Sequence, residues 1–237
     1  MSDTGNKPLK IGMLIYPDFT LQDLVGAQAV LGIHGQTFLL WKTMDPVMAD
    51  TKVSINPTTL LGDCPKDLDV LFVPGGFGTP AIMEDDEIVD FLAEAGKTAK
   101  YITGVCNGTP LLGAAGLLNG YKAATHWSTY GALAESGAVP VHERVVTDRN
   151  RVTAGGVTSG IDFGITLLAK LRGDEIAMVT QLLLEYSPEP PFDTGTPERA
   201  GPEITAMAKT IFALPTLDAD AISAIKSRAA RRFKKKA

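Results

Sequence analysis

Leu9 to Ile15 is an apolar run of strand length interrupted only by Lys10. After the turn Tyr16-Pro17-Asp18, apolar residues at Leu21, Leu24, Val25 and Leu31 keep the spacing of one helix face. This strand-then-helix alternation recurs. Thr37 to Trp41 and Asp69 to Val73 read as strands, the second running into Pro74-Gly75-Gly76, while Glu87 to Ala99 reads as a helix and Tyr101 to Val105 as a strand that stops at Cys106. His142 to Asp148 and Arg151 to Ala154 form a short β pair around Arg149-Asn150, and Gly160 to Leu171 and Asp174 to Tyr186 are helices split at Arg172-Gly173. The Pro-rich link Ser187 to Pro197 precedes two amphipathic helices, Ala200 to Ala213 and Asp218 to Phe233. Strands rich in Val, Ile and Leu alternating with helices predict a mostly parallel sheet covered on both faces. That is a three-layer α/β/α sandwich of flavodoxin-like type.

Length and composition keep the architecture simple. A chain of 237 residues, 45% hydrophobic, is read as a single α/β domain over 1–237 with 198–237 as a C-terminal helical extension. No apolar run approaches the ~20 residues of a membrane span, and Met1 to Lys10 lacks the apolar centre of a secretion signal, so a cytoplasmic location is expected. Cys64 and Cys106 are far apart and form no C-x-x-C, which argues against a disulfide framework or a metal site. A net charge of -5 and a pI of 5.2 argue against nucleic acid as a partner. The basic run Arg231 to Lys236 is a solvated helix end on this reading.

The chemistry concentrates at Gly104-Val105-Cys106-Asn107-Gly108. This reads as a nucleophile elbow with sulfur in place of a hydroxyl, and the N–H groups of the following helix are expected to favour thiolate. In open parallel sheets ligands bind beyond the carboxyl ends of the strands, so Asp23, Gly75-Gly76 and Cys106-Asn107 should converge. Asp23 has two readings: the acidic member of a capping box with Thr20, or a buried proton donor beside sulfur. Gly75-Gly76 is either a plain turn or a close-approach segment whose N–H, with that of Asn107, makes an anion hole. The Asn107 side chain binds substrate or caps the helix, capping being the simpler role. His126, at the end of a short segment after the elbow, is a structural histidine or a general base. Cys64 reads as a packing residue.

Those stretches, together with Leu21 to Gly26, Val73 to Gly76, Leu112 to Leu118, Ala124 to Trp127, Val139 to Val146 and Gln181 to Tyr186, resemble the ThiJ/PfpI superfamily. The superfamily fold is akin to class I glutamine amidotransferases, and within it the chain is most similar to the isonitrile hydratases. The resemblance implies a cofactor-free homodimer that hydrates a small-molecule isonitrile to an N-substituted formamide. Cys106 would form a thioimidate, with Asp23 as general acid and then positioning or deprotonating water. Ala27 stands where proline is common and Asn107 where threonine is often found, a change beside the nucleophile. Rival readings are a glyoxalase-like or deglycase-like enzyme of the same superfamily, and a ligand- or redox-sensing regulator.

Overall fold

Short apolar runs such as Val70–Val73 become strands whose side chains are covered on both faces. The computed structural model describes residues 7–212 and residue 227. In chain order it contains β1 (Leu9–Leu14), α1 (Leu21–Leu31), β2 (Gly35–Trp41), β3 (Val47–Met48), β4 (Ser54–Ile55), β5 (Thr59–Leu60) and β6 (Val70–Val73). There follow α2 (Thr79–Glu84), α3 (Asp86–Ala95), β7 (Tyr101–Val105), α4 (Gly108–Ala114), β8 (Lys122–Ala123), α5 (Tyr130–Glu135) and β9 (Val139–Pro140). The order closes with β10 (Val145–Asp148), β11 (Arg151–Ala154), α6 (Ser159–Arg172), α7 (Asp174–Leu183) and α8 (Pro197–Ile211).

Seven strands form one sheet in the order β10-β11-β7-β6-β1-β2-β5. All neighbouring pairs are parallel except β10 with β11, which is antiparallel. β3 with β4 and β8 with β9 make two small accessory sheets. Every residue of β6 and β11 is buried, as is all of β7 beyond Tyr101, because helices cover both faces. α1 packs on α6 and α6 on α7, whereas α2, α3, α4 and α5 pack among themselves on the opposite face. The Phe72 and Phe163 rings, 5.5 Å apart, tie β6 to α6. The fold is the expected three-layer sandwich with a mostly parallel sheet.

Local differences have local causes. The helix expected over Glu87 to Ala99 ends at Ala95, where Gly96 caps it, and the strand expected from His142 begins at Val145. The helix expected over Asp174 to Tyr186 ends at Leu183, and the one starting at Ala200 starts at Pro197 and kinks at Gly201-Pro202. Apart from residue 227, the expected helix Asp218 to Phe233 and the basic tail lie outside the described residues.

The sheet order reverses direction between β1 and β6. Loops leaving the carboxyl ends of β1, β6 and β7 therefore open into a common crevice.

Candidate active site

Cys106 follows β7 with φ +57°, the left-handed region that non-glycine residues rarely occupy. Its backbone is pinned on both sides. The Cys106 N–H donates to Ala154 O (3.1 Å) and Gly155 O (2.8 Å), while its carbonyl accepts from Thr125 Oγ1 (2.8 Å). Such strain persists when the surroundings over-determine it, and here it holds sulfur at the base of a cavity. Gly75 passes so close that an added Cβ would lie 2.3 Å from Asn107 Oδ1 and 2.8 Å from Cys106 Cβ. No larger residue fits without moving the elbow.

Asp23 stands on the first turn of α1, fully buried. Its Oδ2 accepts from the Gly75 N–H (2.7 Å), and Oδ1 has no conventional hydrogen-bond partner. The carboxyl lies within interacting reach of the Cys106 thiol. Burial pushes the Asp23 carboxyl up, and the Asp50 charge adds to this, whereas the Gly75 N–H and the thiol pull it back. The balance puts it at about 8. The expected capping box does not form: the Thr20 side chain makes no cap bond, and Asp50 Oδ1 accepts from the Leu21 N–H (3.2 Å) instead. A carboxyl turned inward to Gly75 is unavailable to cap its own helix.

The expectation of a resting thiolate is also corrected. Burial raises the Cys106 thiol well above its ordinary range and the neighbouring Asp23 charge raises it further. The N–H groups of Asn107 and Val157 lower it only in part. The helix that follows, α4, is seven residues long and brings little dipole. At neutral pH the site therefore holds a thiol beside a mostly protonated carboxyl.

The sequence-assigned anion-hole donors are arranged differently from expectation. The Gly76 N–H is engaged by Asn107 Oδ1 (2.6 Å), which also accepts from Thr79 Oγ1 (3.1 Å), while Asn107 Nδ2 donates to Gly76 O (3.0 Å). The Asn107 side chain thus caps nothing; it clamps the Gly76 loop to the elbow. Tyr16 extends the clamp, with its hydroxyl 2.7 Å from Pro74 O and 2.9 Å from Thr79 Oγ1. The donors that reach sulfur are the N–H groups of Asn107 and Val157. Sequence reasoning does not single out Val157, although Gly155-Gly156 after β11 repeats the pattern of Gly75-Gly76 after β6.

Cys106 opens onto a cavity of about 260 Å³ whose walls include Gln22, Asp50, Phe77, Asn107, His126 and Val157. His126 faces this cavity. Its Nδ1 pairs with Ser128 Oγ (2.8 Å), and burial lowers its pKa, keeping the ring neutral. His34 and His142 stand elsewhere: His34 bonds Thr180, and His142 stacks on Tyr130. Cys64 is remote too, bonded to its neighbour Pro65 O and pushed up to about 11 by burial. Among the described residues no cluster of three or more His, Cys, Asp or Glu is placed to hold a metal.

A protonated carboxyl beside a nucleophilic sulfur suits addition to a substrate that must gain a proton as it gains sulfur. Comparison with known proteins agrees in kind. Residues 10–170 match the model of the DJ-1/PfpI family. An isonitrile hydratase of Pseudomonas putida is 46% identical over 194 residues, 81% of this chain and 85% of that protein. A crystal structure of a ThiJ/PfpI family protein from Pseudomonas syringae superposes with a TM-score of 0.86 at 43% identity, covering 97% of this chain and 94% of that one. A helix-turn-helix transcriptional regulator of Pseudomonas aeruginosa, GbdR, is 28% identical over 77% of this chain, which spans 52% of the regulator.

Proposed function

The chain belongs to the DJ-1/PfpI family, and on that footing we propose that it is a hydro-lyase that hydrates isonitriles to N-substituted formamides. The observation that carries this reading is the buried Asp23 carboxyl, held by Gly75 against the Cys106 thiol. The terminal carbon of an isonitrile accepts both a proton and a nucleophile. Asp23 gives its proton to that carbon as sulfur attacks, and takes the thiol proton in exchange, so the pair ends as R–N=CH–S–Cys106 beside a protonated carboxyl. The Asn107 and Val157 N–H groups stabilise negative charge on sulfur as it attacks and as it leaves. Gly75 orients Asp23, and Gly76, clamped by Asn107, fixes the loop that carries it. His126 forms a wall of the substrate pocket. Water then adds to the thioimidate carbon, nitrogen is protonated, and breakage of the C–S bond releases the formamide.

The active form is a homodimer in the cytoplasm. Met178, Val179, Leu182 and Leu183 on α7 are more than half exposed, an apolar face that a second copy would cover. Two unpaired cysteines fit a reducing compartment, and no described helix is long and apolar enough to cross a membrane.

The test is a side-by-side assay with a simple alkyl isonitrile and methylglyoxal. Formamide appears from the first and the second is left unconsumed; the opposite result makes the protein a glyoxalase-like enzyme. Cys106→Ala abolishes formamide production, and intact-mass spectra of quenched wild-type enzyme show an adduct equal to the isonitrile on the peptide holding Cys106. Turnover by Cys106→Ala at a near-normal rate ends the covalent scheme.

A further inference from the structure

Hydration of the thioimidate needs two proton transfers at once, one to nitrogen and one from water. Asp23 supplies only one of them. Its Oδ2 is committed to the Gly75 N–H, so a single oxygen remains for chemistry, and after the first half of the reaction that carboxyl carries a proton to give. A second group must receive the proton of water.

Asp50 fits that requirement by position. It sits in the Ala49–Lys52 turn, where its N–H donates to Phe19 O (2.9 Å) and the Lys52 N–H closes the turn onto Ala49 O (3.0 Å). Its Oδ1 is held by the N–H groups of Leu21 (3.2 Å) and Thr51 (2.8 Å). Oδ2 has no partner among the described residues, and Asp50 shares the wall of the 260 Å³ cavity with Cys106. A carboxylate whose Oδ1 is fixed by two backbone donors, on a residue that lines the pocket containing the reactive sulfur, is placed to bind and deprotonate water. Accepting the reading under Proposed function, we propose that Asp50 is the general base of the hydrolytic half-reaction.

The Asp50 charge is felt by Asp23 on α1 and by Tyr16 in the loop after β1, and Cys106 and His126 line the same cavity. Lys52, two residues on, is paired with Asp18. As water oxygen bonds to carbon, Asp50 takes the water proton while Asp23 gives its own to nitrogen, leaving R–NH–CH(OH)–S–Cys106. When the C–S bond breaks, the hydroxyl proton passes to Asp23 and the Asp50 proton returns to sulfur. All three groups are then as they began.

Asp50→Asn tests this, because the amide oxygen still accepts from Leu21 and Thr51. At pH 6, with a simple alkyl isonitrile, kcat is expected to fall about 10²-fold or more and KM to fall with it, leaving kcat/KM unchanged. Quenched-flow mass spectra should show the Cys106 adduct forming at the wild-type rate and then accumulating. Equal slowing of adduct formation and breakdown would make Asp50 structural and overturn the assignment. So would kcat within a factor of about 3 of wild type, or adduct accumulation in His126→Asn but not in Asp50→Asn. Wild-type enzyme that forms neither adduct nor formamide would refute the hydratase reading itself, a result distinct from all of these.

Discussion

The two ends of the central sheet are both rich in polar groups, yet they treat them oppositely. At the amino ends of β1, β6, β7 and β11, the Lys10 N–H donates to Asp69 Oδ2 (2.9 Å), Lys10 Nζ bonds both oxygens of Asp67, and Asn150 Nδ2 donates to Lys100 O (3.1 Å). A cavity of about 550 Å³ lies there, larger than the one at Cys106. Its charges are partnered or open to water: Asp67, beside Lys10, is held below the usual carboxylate range. At the carboxyl ends, Asp23 is sealed from water, has one oxygen without a conventional partner and is pushed up to about 8. The comparison teaches that the number of charges does not mark the reactive end. What marks it is a titratable group whose ordinary partners have been withheld.

The largest expected effect comes from removing that withheld proton. Asp23→Asn should lower kcat/KM by about 10³-fold, since an amide neither donates to carbon nor exchanges a proton with sulfur. It should also stabilise the protein. The folded-state carboxyl titrates near 8, above its unfolded value, so the folded state binds the proton more tightly than the unfolded chain. Ionisation therefore costs the folded state increasingly as pH rises from about 4 to about 8. Denaturant titrations should show the variant equal to wild type near pH 4 and more stable by a few kcal/mol at pH 8. In wild type, kcat/KM should fall as pH rises through about 8, where the proton is lost. A variant that is inactive yet no more stable at pH 8 than at pH 4 would erase the contrast between the two ends.

How much of this contrast is legible in the chain depends on which force places each residue. The runs Leu9 to Ile15, Asp69 to Val73 and Tyr101 to Val105 are readable because parallel strands covered on both faces must be largely apolar, and the residues just past them must meet. Cys106, Asp23 and Gly75 follow from that rule. Asp50 does not, because it comes from a turn between two elements and no periodicity aims a turn residue. The local rule that made Asp23 a capping partner fails for the same reason: the cap is supplied from 27 positions beyond it, by Asp50. Asn107 reads as a cap because it precedes α4, and only the approach of the Gly76 loop turns its amide elsewhere. Residues placed by periodic burial can be read in advance, whereas those placed by long-range hydrogen bonds cannot.

A smaller loss should follow from filling the space at Gly75. In Gly75→Ala the new methyl must push on Asn107 Oδ1, the Asn107 N and Cys106 Cβ, and two of these belong to backbone or to the nucleophile itself. Overpacking of this kind costs about 1–3 kcal/mol. The movement also carries the Asp23 hydrogen bond away from sulfur, for which a loss of about 10² in kcat/KM is expected. Crystals of the variant should show the elbow displaced and the Gly75 loop intact. Wild-type activity in Gly75→Ala would mean that the fit between loop and elbow is not what positions the carboxyl.

The smallest effect should come from the opposite end. Asp67→Asn removes the charge partner of an exposed lysine, and exposed ion pairs gain little over hydration by water. Because Lys10 keeps its backbone bond to Asp69, the start of β1 stays in register. The melting temperature should move by no more than about 2 °C. Activity should match wild type from pH 6 to pH 9, including the basic limb set by Asp23. A shifted limb would mean that charge at the amino ends is felt through the sheet at the carboxyl ends. The two regions would then be electrostatically coupled, and the difference between them could not be assigned to local burial alone.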